Sequence, residues 1–473
     1  MRWRAIQLAG VQGVYFVRLL VLAQLLAPDA FGLVAIAMVA IGVVARVTDL
    51  GMIPALVQRE GAIREEYDAA WTVGLLRASA MTVVLTVFAV PIATLFGEPG
   101  AAPIIQALAW RPVIEAAGSI GVVSVTREMQ FHRLAMIAVP AAVVDLAVAL
   151  ATVSSIGVWA LVAGSLAGSF ASLVLSYVLA PHAPRISLQF TAIRPLIHYG
   201  RWVLATGIIA LVGSTLSQLA ISRIEGVAAL GLYFLAWRVA FLPIDAVSAV
   251  VSSVAFPMFA RIRDDVRGTA ATFRTLLTGE AVVLVPGYAL IFALAPSLET
   301  VLGERWEGTA PIIRILSIAA VTGILGELIG PLLMGRGRAD RAFLLEAVQT
   351  GVLVAALFPL VLALGARGAA IAWLAGNVAA LLVTIAWLKS MIPGGLMLER
   401  RPLVATLAAA AAAAAVATAC AAALPEPTGL LVGAVAGVST AALALAALDR
   451  TLGLGLWGLA TWIRGAGAGN RAP

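Results

Sequence analysis

Cysteine occurs once in this chain of 473 residues, at Cys420, lysine once, at Lys389, and histidine three times. A single cysteine excludes an intrachain disulfide, and so little Cys and His excludes a metal cluster built from them. Charge is scarce too: Asp, Glu, Lys and Arg make up 12% of the residues, against about 25% in soluble domains, while 62% are apolar. So few charges cannot wet the surface of a soluble fold of this size, and runs such as 404–424 approach the roughly 20 residues that span a bilayer. The chain is an all-α polytopic membrane protein. Its net charge of +7 would point to nucleic acid in a soluble chain; here it reflects the preference of cytoplasmic loops for Arg, and no nucleic-acid partner is expected.

Turn residues and charges divide the chain into fourteen spans, near 5–26, 31–57, 71–96, 103–125, 136–155, 157–180, 196–221, 229–257, 275–296, 310–334, 342–364, 368–388, 403–424 and 428–448. The N-terminal Met1-Arg-Trp-Arg has the charge of a signal peptide, but Arg18 interrupts the apolar stretch behind it and no small-residue cleavage site follows. It reads as a retained first span. With both termini cytoplasmic, 21 basic residues fall inside and only Arg223, Arg305 and Arg367 outside. One helix more or fewer would invert every later loop, so this split supports the topology.

The chain repeats itself. Pro91-Ile-Ala-Thr-Leu-Phe-Gly-Glu98 followed by Ala102-Pro-Ile-Ile-Gln106 returns as Pro296 to Glu304 followed by Ala310-Pro-Ile-Ile-Arg314. Phe31-Gly32-Leu33 answers to Leu230-Gly231-Leu232, and Gly157 to Gly365. A block of six spans was duplicated, and an even number keeps both copies in the same orientation. The expected plan is a six-helix lobe over 1–181, a second over 196–389, an extra helix pair over 403–450, and an interfacial or disordered tail over 451–473.

Arginines inside spans mark the candidate site, because each costs about 2.5–3.5 kcal/mol at a helix centre and survives where it meets a partner or a wet cavity. Arg77, Arg201 and Arg314 lie near span ends and can snorkel. Arg18, Arg46, Arg111 and Arg238 are deeper. Arg46 has Asp49 at i+3, Arg111 has Glu115 at i+4, and Arg238 has Asp245 two turns on. Each pair either neutralises itself or holds its guanidinium for an anionic ligand. Arg18 has no acid within a turn of its own helix and is the first candidate for substrate contact. Arginine offers bidentate donors to anionic oxygens, so an anionic ligand suits this set. Asp145, Asp245, Glu280, Glu327 and Glu346 are intramembrane carboxylates able to carry a proton or sodium ion. Beyond that no cofactor or metal is expected. Gly164-x-x-x-Gly168 and Gly326-x-x-x-Gly330 read as close helix packing.

The 6+6+2 plan, Leu25-Leu-Ala-Pro-Asp-Ala-Phe-Gly-Leu33, Thr48-Asp-Leu-Gly-Met52, and Tyr233–Arg238 running on to Ala255-Phe-Pro257 resemble the Wzx-type polysaccharide flippases of the multidrug/oligosaccharidyl-lipid/polysaccharide exporter superfamily. The resemblance covers residues 1 to about 395 well and the last helix pair poorly. It implies a MATE-like fold and an alternating-access flippase in the bacterial inner membrane. The implied substrate is an undecaprenyl-pyrophosphate-linked oligosaccharide for O-antigen, capsule or exopolysaccharide, with membrane lipid and a glycan polymerase or export machinery as partners. It also implies functional arginines on the first, second and eighth helices, where Arg18, Arg46 and Arg238 stand. A cation-coupled drug exporter and a lipid II flippase are the alternatives within the superfamily. A membrane polymerase or ligase would need an outer catalytic platform, and the longest outer segment, 297–309, has no histidine.

Overall fold

The computed structural model describes residues 2–49, 56, 64–187, 201–262, 265–391 and 400–452; the tail over 453–473 and most of the 182–195 linker region lie outside them. Among the described residues no strand occurs. A chain this apolar has no water to bond its backbone, so each segment must satisfy its own N–H and C=O groups as a helix. The helices are α1 (Arg2–Leu25), α2 (Pro28–Val47), α3 (Arg64–Leu95), α4 (Ala101–Leu108), α5 (Arg111–Ala116), α6 (Gly121–Arg127), α7 (Phe131–Ile156), α8 (Trp159–Leu179), α9 (Arg201–Glu225), α10 (Val227–Arg261), α11 (Val266–Leu302), α12 (Thr309–Gly335), α13 (Ala339–Leu364), α14 (Ala366–Met391), α15 (Arg400–Ala423) and α16 (Thr428–Leu452). Twelve are long and apolar enough to cross a membrane, and α4 to α6 together make a bent thirteenth. In α1 the apolar part, Gly10–Leu25, is shorter than a full span.

Two compact units divide the chain, Met1–Phe234 and Leu235–Pro473. In the first, α7 and α8 form a hairpin, α1 lies along α7, α4 packs on α2 and α3, and α5 bridges α3 and α8. The start of α10 crosses the start of α2 at two glycines that the repeat makes counterparts. A Cβ on Gly32 would strike the Val227 carbonyl, and one on Gly231 that of Pro28. After α8 the backbone over 181–187 is strapped to the first turns of α3. The buried Asp68 carboxylate meets His182 Nε2 at 3.0 Å and accepts from the Arg185 N–H at 3.1 Å, while Thr72 Oγ1 accepts from Ser187 N–H at 3.0 Å.

In the second unit, α11 packs on α12 and α14 on both α12 and α13. Phe259, Phe273, Tyr288, Leu328 and Leu332 fill the core between them. The α15–α16 hairpin leans on α11, where Leu290 and Leu294 meet Ala413, Ala417 and Ala421. The alanine-rich run is thus a packing face with a four-residue period. The duplication survives in backbone conformation as well. Gly97 and Gly303 turn with φ of +80° and +91°, and Gly157 and Gly365, which end α7 and α13, with +55° and +62°.

Candidate functional site

The span expected over 103–125 is instead three short helices, and their axis turns by 64° between Ala101–Ala116 and Gly121–Arg127. A break inside a membrane leaves carbonyls without helical donors, and neighbouring side chains supply them. Thr82 Oγ1 donates to the Ala109 carbonyl at 2.6 Å, the Tyr177 hydroxyl to Ala117 at 3.0 Å, and Trp71 Nε1 to Gly118 at 3.1 Å. Pro112 opens the middle helix, where a missing N–H is harmless. This middle helix, α5, carries Arg111 and Glu115 and rests on α8.

Arg111 and Glu115 pair at 2.7 Å, Nε to Oε1. Ser169 of α8 donates its hydroxyl to the same Glu115 oxygen at 3.2 Å, and Ser165, one turn earlier, accepts from Arg111 at 3.4 Å. Arg18 of α1 donates to the Leu161 carbonyl at 3.0 Å and places its Nε 2.9 Å from Oδ1 of Asp145 on α7. Arg18 therefore has an acidic partner, supplied by another helix, where its own helix offers none. Asp145 lies flat against α8 because Gly164 and Gly168 have no side chains there. Tyr15, one turn before Arg18 and 38% exposed, is within electrostatic reach of Arg18, Arg111, Glu115 and Asp145. Four elements of the first unit thus assemble two guanidiniums, two carboxylates, two serines and a phenol.

The Arg46 and Asp49 pairing takes a different form. Helix α2 ends at Val47, and Asp49 stands two residues beyond it with its N–H bonded to the Arg46 carbonyl at 3.4 Å. Asp49 instead forms an ion pair with Arg77 of α3, at 3.6 Å. Arg46 is exposed and lays its stem along Gly207 of α9. Arg77 is consequently a cross-helix partner of Asp49 as well as a residue near a span end.

In the second unit, Arg238 is exposed on α10 and within electrostatic reach of Asp245. Glu327 of α12 is the shared neighbour of Asp245, Glu280 and Glu346, which come from α10, α11 and α13. Ser248 donates to Glu327 at 2.8 Å. Glu280 is 3% exposed, and its Oε2 has no hydrogen-bond partner among the described residues. Four of the five carboxylates singled out by their position in spans therefore share one neighbourhood, and the fifth, Asp145, belongs to the arginine cluster.

The family described as polysaccharide biosynthesis protein matches residues 21–311, which contain the whole broken helix and every first-unit site residue except Tyr15 and Arg18. The chain belongs to this family. Its relatives include the lipopolysaccharide biosynthesis protein WzxC of Escherichia coli strain K12, 25% identical over 75% of this chain and 73% of that protein, and the succinoglycan biosynthesis transport protein ExoT of Rhizobium meliloti strain 1021, 27% identical over 86% and 83%. The teichuronic acid biosynthesis protein TuaB of Bacillus subtilis strain 168 is 24% identical over 65% and 67%. Among solved structures, the lipid II flippase MurJ in an inward closed conformation superposes with a TM-score of 0.72 at 11% identity, covering 96% of this chain and all of that one. An inward-facing multidrug resistance MATE transporter of the MOP superfamily gives 0.64 at 19% identity over 81% and 97%. The polysaccharide biosynthesis family member thus has the MATE-like fold of that superfamily. The 4% outside the MurJ superposition is shorter than either helix of the α15–α16 pair, so the fold match extends into that pair.

Sequence reasoning missed Asp145 as the partner of Arg18, and Tyr15, Ser165 and Ser169 as neighbours of the charges. One signal was available: Gly164-x-x-x-Gly168 announces that something packs closely on α8, and Asp145 is what packs there.

Proposed function

We propose that this protein is a flippase that moves a polyprenyl-pyrophosphate-linked oligosaccharide from the cytoplasmic to the outer leaflet of the bacterial inner membrane by alternating access. The product feeds O-antigen, capsule or exopolysaccharide assembly. The observation that carries this reading is the cluster around Arg18 and Arg111, built at membrane depth in a member of a family named for polysaccharide biosynthesis. A diphosphate needs cationic, planar donors in a desolvated place, and arginine supplies them where lysine would supply a point charge. Arg46, exposed beside α9, extends the cationic surface available to an entering headgroup in the first unit. Arg238 performs the corresponding task in the second, with Asp245 as its local counter-charge. The 21-to-3 distribution of basic residues supports cytoplasmic termini. Names of relatives that refer to lipopolysaccharide, succinoglycan and teichuronic acid support a lipid-linked glycan as cargo. The chain acts as a carrier and breaks no covalent bond in this reading.

Energy coupling is assigned to the second-unit carboxylates. Glu280, buried with one oxygen unpartnered and facing the field of Glu327, is where a proton or sodium ion is taken up and released.

The test is genetic complementation of a strain lacking this gene. Arg18→Ala, Arg46→Ala and Arg111→Ala are expected to abolish surface polysaccharide while the protein remains inserted at normal abundance, and Lys replacements to restore only part. Normal polymer in all three alanine variants overturns the assignment. Increased resistance to cationic dyes on expression, with normal polymer, would replace it by drug export.

A further inference from the structure

The four charges of the first-unit cluster sum to zero, with Arg18 against Asp145 and Arg111 against Glu115. A neutral site is poorly suited to capture a dianion unless one of its own anions gives way. The two carboxylates differ in how they are held. Glu115 is half exposed, sits four residues from its arginine on the same short helix, and takes a second bond from Ser169. Asp145 has a side chain only 5% exposed and meets an arginine from another helix.

The surroundings of Asp145 fix it from behind. A Cβ on Gly164 would stand 2.6 Å from Asp145 Oδ1, and one on Gly168 would stand 2.8 Å from its Cβ. A short side chain pressed onto bare helix backbone has no second place to go. Arg18 is the movable partner: it hangs on a long stem, keeps 18% of its side-chain surface open, and is otherwise anchored by one bond to the Leu161 carbonyl. Although Nε and Oδ1 are 2.9 Å apart, neither atom completes a hydrogen bond. Charge, rather than a directed bond, holds the pair, and charge is what a diphosphate replaces most fully.

We infer that Asp145 is an internal competitor for Arg18: a fixed carboxylate that neutralises the guanidinium while the site is empty and yields it to a diphosphate group when one enters. The inference rests on the flippase reading and adds its regulation. Asp145 touches no substrate; it is a positioning residue that keeps the affinity low enough for release. Its removal leaves the empty cluster with one net positive charge and spares the ligand a displacement. Binding should tighten. A merely structural ion pair has the opposite signature, because a loosened Arg18 binds worse.

The experiment measures farnesyl diphosphate binding to the full-length protein in nanodiscs by isothermal titration calorimetry at one pH and salt concentration. Asp145→Asn is expected to bind at least about tenfold more tightly, since a full charge at contact distance is worth more than that factor at intermediate dielectric; Arg18→Ala is expected to lose most of the binding. Inorganic pyrophosphate, run alongside, should show the same ordering if the headgroup is what is recognised. Should Asp145→Asn not be recovered as a monodisperse protein, Asp145→Ala removes the same charge with a smaller side chain, with the same direction expected. If Arg18→Ala binds as well as the parent chain, the assignment of Arg18 to the substrate fails, and this inference with it. If Arg18→Ala loses binding while Asp145→Asn, or Asp145→Ala in its place, binds no more tightly than the parent, only the competitor role is overturned.

Discussion

The Nε of Arg314 donates to the carbonyl oxygen of Phe292 at 3.1 Å, and that carbonyl is the acceptor that Pro296 leaves without its helical N–H. The guanidinium also lies 5.1 Å from the centre of the Phe292 ring. An arginine placed near the start of α12 is therefore a repair to α11. Arg314→Met is expected to lower stability by about 1–3 kcal/mol, the cost of leaving a carbonyl unsatisfied in a span where no water can bond it. In a Pro296→Ala background, where the introduced alanine supplies the missing N–H, the loss should fall by at least half. Thermal unfolding of the four proteins of this cycle in one detergent checks it. Equal losses in both backgrounds would show that Arg314 serves something other than the freed carbonyl.

What could be read from the sequence follows from the range of the interaction. Apolar runs set the helices, and the Arg111–Glu115 pair lies within one helical turn, so both are legible from local spacing. The Arg18–Asp145 pair joins α1 to α7 across three intervening spans, and no spacing rule reaches that far. Asp49 stands three residues from Arg46 yet pairs with Arg77 of α3, a partner that spacing along one helix does not reveal. The break over 101–127 is invisible in composition, because its residues are as apolar as an unbroken span and the donors that permit it come from Trp71, Thr82 and Tyr177 elsewhere.

Those donors make their own prediction. Thr82 is buried, and its hydroxyl serves the Ala109 carbonyl at 2.6 Å as well as Ala78 in its own helix. Thr82→Val keeps the shape and removes the donor, at an expected cost of about 1–3 kcal/mol. Because α5 hangs from this junction, the change should also reduce polysaccharide export more than an equally destabilising change in α16. Thermal unfolding and complementation, read together, check this. Wild-type export at lowered stability would separate the junction from the site.

Glycines that look alike should respond with opposite signs. Gly32→Ala and Gly231→Ala each drive a methyl group into a carbonyl of the opposite helix, and each is expected to cost about 3 kcal/mol or to prevent recovery of the protein. Gly13 has open space where its Cβ would stand and lies within α1. Gly13→Ala should therefore stabilise by about 0.5–1 kcal/mol through helix propensity. Fluorescence-detected size exclusion after heating ranks the three against the parent chain.

Asp68 fastens the start of the segment that leads out of α8, through His182, the Arg185 N–H and, at 3.8 Å, Arg64. Arg64 adds a bond to the Ala183 carbonyl at 3.1 Å. Hydrogen bonds to a charged group are worth about 1.5–3 kcal/mol, so Asp68→Ala should raise the open population of the strap at least about tenfold. Limited trypsin digestion of the native protein, followed by mass spectrometry of the cut after Arg185, reads this directly. An unchanged cleavage rate there would mean that the strap is held by something other than Asp68.

Glu280 separates coupling from cargo binding. Its neighbours of like charge, Glu327 and through it Asp245 and Glu346, lie in the second unit, whereas the Arg18 and Arg111 cluster lies wholly in the first. Glu280→Gln keeps shape and hydrogen-bonding capacity while removing the site where a proton or sodium ion exchanges. In proteoliposomes, the variant is expected to lose the acceleration of lipid flipping that an imposed pH or sodium gradient gives the parent chain, by about tenfold or more if that step limits turnover. Farnesyl diphosphate binding should stay within a factor of about two, because Glu280 is not among the groups that hold Arg18 or Arg111. Gradient-driven flipping at the parental rate would assign Glu280 to the packing of α11 and move the coupling ion elsewhere.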